Sequence, residues 1–564
     1  MADDDPRPLG EILDARQRWA LLLSLMCAMF VGALDQTIVA TATPSILADL
    51  GGFSLLSWLF TSYMLASTVV IPLVGKLSDI YGRKLFVIAG VVIFTLASAA
   101  CGAAPTIVTL IIFRAVQGIG GGMIFSSVFA TIGDIFPPAV RGKYIGMFTG
   151  TFSLASILGP TVGGFLTDAV DWRWVFYINI PFSLIAIPAI WINLPMRRGV
   201  RRPQIDFIGA ALLSTASVLL LFALVWAGDK YPWASPQIIG LLVATAIFVL
   251  AFIFQERRHP EPMMPLHLFK NRVFVLSNLI VFTLGVGMFG VLQYLPVFVQ
   301  TALGASATAS GVITTPQSLG VLFASFFGGQ LIARTGRYKY ISLVGAFVIV
   351  GAMLFLTRLD IDTPEPRISA AMVVLGLGFG MLLPTMSLVV QNAVPYQYLG
   401  VATSSSQFFR QIGTVLGIAV FGSLLATRYH TALQDQLTAA DKQQIPAVTL
   451  QQFDDPTLAL DKRAFEQVKA SILATSATDG QRLLDTAVLA QRESVAVAIR
   501  LIFSLALAVS GVSVLMVLLM KELPLRKDFK PVLEEGGVFD DEPALEPSAA
   551  PLTDRPAAGS AGGS

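Results

Sequence analysis

Residues 75–84 read GKLSDIYGRK, and residues 329–339 read GQLIARTGRYK. At a constant offset of 254, Gly75, Leu77, Gly82 and Arg83 meet Gly329, Leu331, Gly336 and Arg337. Each stretch joins two apolar runs long enough to cross a bilayer, which takes about 20 residues. The repetition predicts two related halves, an arrangement suited to one half rocking against the other around a central site. Gly75 and Gly82 permit a tight turn and close helix approach. Asp79, Arg83 and Lys84 offer charge-assisted bonds that can pin neighbouring helix ends. An ordinary basic loop would explain the bases but not the acid beside them. The second copy carries Ala333 where the first has Asp79, so a conformational latch is expected mainly in the first half.

Outward from these loops, 14 apolar runs divide the chain, which has 564 residues, 55% hydrophobic and 13% charged. So few charges cannot cover a soluble surface, where about 25% is usual. In lipid the backbone must satisfy its own hydrogen bonds, so the runs are helices. An all-α integral membrane fold follows: a six-helix bundle over 18–195, two inserted helices over 206–255, and a second six-helix bundle over 273–520. A polar insertion over 427–495 separates the last two spans, and DKRAFEQVKASILA (461–474) within it has helical periodicity. Residues 1–17 form a charged N-terminal segment without a cleavage site, and 528–564, rich in Pro, Ala, Gly, Ser and acids, is read as a disordered tail.

Lys and Arg orient the spans. With the N-terminus inside, about 22 basic residues face inward and about four lie in short outer loops. Both termini are therefore expected in the cytoplasm. The formal net charge of +2 provides no field for nucleic acid. Cys27 and Cys101 lie in apolar runs as small buried side chains, and His259, His267 and His430 are too scattered for a metal site. No phosphate-binding loop is present, so nucleotide hydrolysis is not the expected energy source.

Three spans carry unusual polar or small residues. Span 1 contains GALDQTIVATATPSI with Asp35, and span 4 contains RAVQGIGGG with Arg114, Gln117 and Gly118. An arginine at this depth costs roughly 3 kcal/mol on insertion scales. At 1.5 Å per residue, Asp35 lies about 10 Å below the outer end of its span, and Arg114 falls at nearly the same depth. A facing acid and base would pair, as a proton-coupling site or as a structural ion pair. Span 5 carries Gly146, Ala155 and then Gly159-Pro160-Thr161-Val162-Gly163-Gly164. Ala155, Gly159 and Gly163 make a smooth stripe that lets a neighbouring helix approach, and Pro160 favours a kink. The stripe is expected where the two halves meet. Arg410 in span 13 has two readings, a second coupling or substrate residue or an inner-end arginine that snorkels. Asp134, at the inner end of span 4, reads as a helix-end partner for a base.

Together these motifs resemble the major facilitator superfamily, and 14 spans narrow the resemblance to its drug:proton antiporter branch of QacA/EmrB type. GKLSDIYGRK resembles that superfamily's loop 2–3 signature. The span 5 pattern resembles its antiporter motif, with Ala155 in place of a glycine. LDQTIVATATP (34–44) is similar to the branch's first-span signature, with Ala40 where asparagine is frequent. DWRWVFYINIP (171–181) and GVATSSSQFFRQIGTVLG (400–417) are also typical of it. The resemblance implies a proton-coupled exporter of hydrophobic, often cationic, compounds. Asp35 and Arg114 would couple the proton, and Gln117 and Arg410 are candidates for cargo or coupling. It implies a monomer in the plasma membrane, with no enzymatic activity, cofactor or metal; its partners are small hydrophobic molecules, protons and the bilayer. A lipid or lipid-linked metabolite is the alternative cargo.

Overall fold

The computed structural model describes residues 9–51, 55–196, 205–228, 230–437, 447–453, 455–456, 458, 462–475 and 480–526. The expected tail 528–564 and the basic residues Arg197, Arg198, Arg201 and Arg202 lie outside the described residues.

Fourteen long helices follow one another: α1 (Ala15–Leu50), α2 (Leu56–Tyr81), α3 (Arg83–Gly102), α4 (Ile107–Ile135), α5 (Pro138–Ala169), α6 (Asn179–Asn193), α7 (Phe207–Trp226), α8 (Pro236–Glu256), α9 (Arg272–Val297), α10 (Ala307–Thr335), α11 (Lys339–Leu356), α12 (Glu365–Asn392), α13 (Leu399–Gln436) and α14 (Gly480–Leu519). Among the described residues, 13 helices are long and apolar enough to cross a membrane, and α10 is the one left out. Thr314, Thr315, Gln317, Gly328, Gly329 and Gln330 dilute its apolar character. At 1.5 Å per residue it is still about 44 Å long, ample for a hydrocarbon core of about 30 Å.

Local chemistry sets the ends. Asp14 and Gln17 form a reciprocal capping box at the start of α1, with Gln17 N donating to Asp14 Oδ1 at 2.7 Å. Gly82 (φ 92°) divides α2 from α3, and its repeat counterpart Gly336 (φ 69°) ends α10. Both have the positive φ that favours glycine, but ψ is 147° at Gly82 and 0° at Gly336, so the repeat keeps a glycine position rather than one turn shape. The sixth apolar run is not one helix. A short helix, Trp174–Tyr177, precedes α6, and the break delivers Asn179 to the interior.

Helices α1–α6 form one bundle and α9–α14 the other. The bundles meet through α2 with α13 and through α5 with α10. Of the inserted pair, α7 packs on α2 and α13, while α8 packs on α7 and exposes Ile247, Leu250 and Phe254. Asp206 caps α7 and also accepts from Gln255 of α8 at 2.9 Å, tying the pair together. Fourteen alternating helices leave the start of α1 and the end of α14 on one side, called here the termini end. The other side is the far end.

Helix α13 runs on to Gln436 and α14 begins at Gly480, so both helices extend into the expected insertion 427–495. The helices Ala447–Phe453 and Lys462–Thr475 lie between them. Tyr429 Oη donates to the Phe453 carbonyl at 2.6 Å, and Lys462–Thr475 packs on α14.

Candidate functional site

Five helices of the first bundle build one buried polar network. Asp35 of α1 is fully buried, and Arg114 of α4 is 1% exposed. Arg114 Nη1 donates to Asp35 Oδ2 and, at 2.7 Å, to Gln117 Oε1. Gln117 Nε2 donates to Asp35 Oδ1 at 2.8 Å and to Ser98 Oγ of α3 at 2.6 Å. Asn179 Nδ2, at the start of α6, donates to the same Asp35 oxygen at 3.0 Å and to Ser98 Oγ at 3.1 Å. From α2, the Leu59 carbonyl accepts from Arg114 Nε at 3.4 Å, and the Tyr63 ring lies 4.6 Å from the guanidinium carbon. Asp35 thus meets three donors from α4 and α6. A buried ion pair adds little net stability, but removing one partner costs about 3–5 kcal/mol. Neutralising Asp35 would therefore leave Arg114 as an uncompensated buried cation, and the bundle would have to rearrange around it.

Depth arithmetic points to Asp35 and Arg114, and the span 4 motif to Gln117. Asn179 and Ser98 escaped both, although an amide in the apolar run FYINIPF was a readable signal. Asn179 Oδ1 has no hydrogen-bond partner among the described residues.

The second cluster lies at the termini end. Asp79 accepts from the backbone N–H groups of Gly400 at 3.0 Å and Val401 at 3.1 Å. These are among the first amides of α13, where a helix dipole favours an anion. Arg83 pairs with Asp79 and, through Nε at 2.8 Å, with Asp134 Oδ2. One carboxylate of the first bundle thus caps a helix of the second, and Arg83 and Asp134 hold that carboxylate in place. Gly75 lets α2 reach α13, since a Cβ there would strike Ser404. Lys84 does not join the cluster; its Nζ sits 4.8 Å from the Trp191 ring centre in α6. Arg141 donates across the bundles to Gln391 Oε1 at 3.2 Å, and Gln391 Nε2 donates back to the Phe129 carbonyl at 3.2 Å. These bonds close the termini end.

Helix α5 divides its small residues between two neighbours. Cβ atoms at Gly142, Gly146 and Gly150 would meet Ile332, Ser325 and Leu322 of α10, in the other bundle. Cβ atoms at Gly159 and Gly163 would meet Thr37, Ile38 and Thr41 of α1, in the same bundle. Ala155 is buried with Ala33 and Leu34 on that second face. The expectation that the Ala155–Gly159–Gly163 stripe lies between the halves is therefore corrected: Gly142, Gly146 and Gly150 hold that position. Nine residues separate Gly146 from Ala155, and at 3.6 residues per turn that is half a turn, hence the opposite face. Pro160 lies within the helix, and nothing lies within 4 Å of a Cβ at Gly164. Arg410 is half-buried and donates to Gln407 Oε1 of its own helix at 3.0 Å. It stands apart from the Asp35 network. Among the described residues, no three His, Cys, Asp or Glu side chains gather as metal ligands would.

Two helical bundles related by a sequence repeat, a charge network buried in one and hydrogen bonds to Asp79 joining them suit a membrane carrier. Residues 25–418 match the family model of the Major Facilitator Superfamily. The chain belongs to that family, whose members are transporters rather than enzymes. It is 42% identical over 421 residues to the multidrug transporter protein MdtP of Bacillus subtilis, covering 75% of this chain and 78% of that one. It is 38% identical over 416 residues to multidrug resistance protein 3 of the same organism, covering 74% and 81%. Among solved structures, the human organic anion transporter MFSD10 superposes with a TM-score of 0.54 at 16% identity, covering 73% of this chain and 94% of that one. That likeness concerns the fold alone.

Proposed function

We propose that this transporter is a proton-coupled antiporter that exports hydrophobic, often cationic, compounds across the plasma membrane, with both termini in the cytoplasm. The observation that carries this reading is the buried Asp35–Arg114 pair with its amide partners Gln117 and Asn179. The site holds one titratable carboxylate whose protonation changes the charge of a sealed interior. Ionised Asp35 balances Arg114. Protonated Asp35 leaves Arg114 without a counter-charge, and that cost favours the other access state. The multidrug names of the two B. subtilis relatives support drug-like cargo. The concentration of Lys and Arg in the termini-end loops supports a cytoplasmic termini end.

The test uses the full-length protein in proteoliposomes with an imposed pH gradient and a fluorescent cationic dye. Wild type moves dye against the proton flux. Asp35→Asn keeps the shape, removes the titration and abolishes gradient-driven transport while membrane insertion persists. Normal gradient-driven transport by Asp35→Asn across several dyes sinks the coupling role.

A further inference from the structure

A cavity of about 440 Å³ lies toward the far end, outside the Asp35 network. Its walls come from both bundles and from α7 of the inserted pair. Thr61, Met64 and Leu65 belong to α2; Leu221 and Leu224 to α7; and Tyr294 of α9 lies with Ile418 and Ala419 of α13. Asp455 and Pro456 of the insertion complete the lining. The volume falls within the roughly 300–1,000 Å³ range of small-molecule sites, which are mostly apolar with a few polar groups. Here the polar lining residues are Thr61, Tyr294, Ser423 and Asp455.

Three observations give the cavity a meaning. First, α2 and α13 splay apart. They touch at the termini end, where Gly75 meets Ser404, and toward the far end they part to enclose this space. Its width therefore follows the relative position of the bundles. Second, α2 presents opposite faces to the network and the cavity. Leu59 and Tyr63 face Arg114, and at about 100° per residue Thr61, Met64 and Leu65 project to the other side. Third, small side chains keep the space open. A Cβ at Gly422 would come within 2.9 Å of Tyr294 Oη, and one at Gly228 within 2.6 Å of Ser423 Cβ. Tyr294 Oη is held in place by donating to the Ile418 carbonyl at 2.8 Å.

We propose that this cavity is a second binding site, which receives the apolar body of an exported compound with a single polar end, and that α7 and the insertion supply its outer wall and roof. The inference rests on the exporter reading for the word exported, but not for the binding. The site takes cargo on the far side of the network and changes shape as the halves move. It also gives the extra helix α7 a function that a twelve-helix core lacks.

The experiment uses full-length protein in nanodiscs and Nile red, an apolar dye with one polar end, read by energy transfer from tryptophan. Ala419→Phe fills the cavity and should weaken Nile red binding at least tenfold. Val243→Phe, on the exposed face of α8, should bind as wild type does. Because a filled cavity can also disturb folding, Ser423→Cys provides a near-isosteric second readout. Nile red should slow maleimide labelling of that thiol at least fivefold, over the background from Cys27 and Cys101. Unchanged binding by Ala419→Phe together with unprotected labelling at Ser423→Cys overturns the site. Native mass spectrometry that finds a phospholipid lost from Ala419→Phe, with Nile red binding unaltered, overturns the cargo assignment in favour of lipid. A wild-type protein that binds Nile red here but moves no dye under a proton gradient removes the exporter reading and leaves the binding site standing.

Discussion

The loops after α2 and α10 occupy equivalent places in the repeat and do different work. The first holds the opposite bundle with charge: Asp79 caps α13, and Arg83 bridges Asp79 to Asp134. The second has Ala333 in place of the acid, and the Arg337 guanidinium lies 5.9 Å from the Tyr340 ring centre of its own bundle. It is held instead by the segment Lys521–Arg526 that follows α14. The Leu523 N–H donates to Tyr338 Oη at 2.6 Å, and Lys339 N donates to Glu522 Oε1 at 3.1 Å. Burial pushes the Tyr338 phenol up to about 12, so the hydroxyl stays protonated at physiological pH. The same segment then reaches the first bundle, where Ala139 N donates to the Arg526 carbonyl at 2.9 Å. Equivalent glycine positions at Gly82 and Gly336 thus support two fastenings, one ionic and one made of hydrogen bonds between backbone amides and side chains. The difference teaches that a repeat conserves where a loop turns more strictly than what it grips.

The comparison breaks most sharply at Arg83. Arg83→Ala leaves the Asp79 and Asp134 carboxylates without their shared cation, and losing one partner of such a cluster costs about 3–5 kcal/mol. That cost falls on the state closed at the termini end. Spin-label distances between α2 and α13 at that end should lengthen and transport should fall at least a hundredfold. An unaltered distance distribution would mean that the latch does not hold the halves.

Next in size are two leucines on opposite faces of α5. Gly146→Leu and Gly159→Leu each overpack a close contact, at about 1–3 kcal/mol. Gly146→Leu pushes α5 off α10, so it should shift the access equilibrium at near-normal abundance. Gly159→Leu wedges α5 from α1 inside one bundle, so it should lower thermal stability in both access states. Identical profiles for the two variants, in efflux and in melting temperature, would erase the division of α5 into two faces.

A smaller effect is expected at the second loop. Tyr338→Phe removes the hydroxyl that accepts from Leu523, a loss of about 1 kcal/mol. Melting temperature should fall slightly and the termini end should loosen about fivefold in the spin-label populations. The smallest change is Ala333→Ser, for which dye efflux should stay within twofold of wild type. A loss equal to that of Arg83→Ala would remove the asymmetry between the loops.

Much of this molecule is legible without coordinates, because the signals are local or periodic. Run length and apolarity imply the spanning helices. The recurrence of glycine and arginine at one offset implies two halves. The insertion cost of Asp35 and Arg114 at matching depth makes the two candidates for a pair. Only the tertiary structure decided the rest. Asp79 finds its partners 321 and 322 residues away, in backbone amides that carry no letter of their own. Ser98 and Asn179 are ordinary polar residues until helix packing turns them toward one carboxylate. Which face of α5 meets which bundle depends on the rotation of a whole helix, a quantity set by the fit of its neighbours. The sequence alone determined which residues must be satisfied inside the membrane, because burial of a charge is costly wherever it occurs. The packing decided what satisfies them, because hydrogen bonds and close contacts depend on positions that neighbouring helices set together.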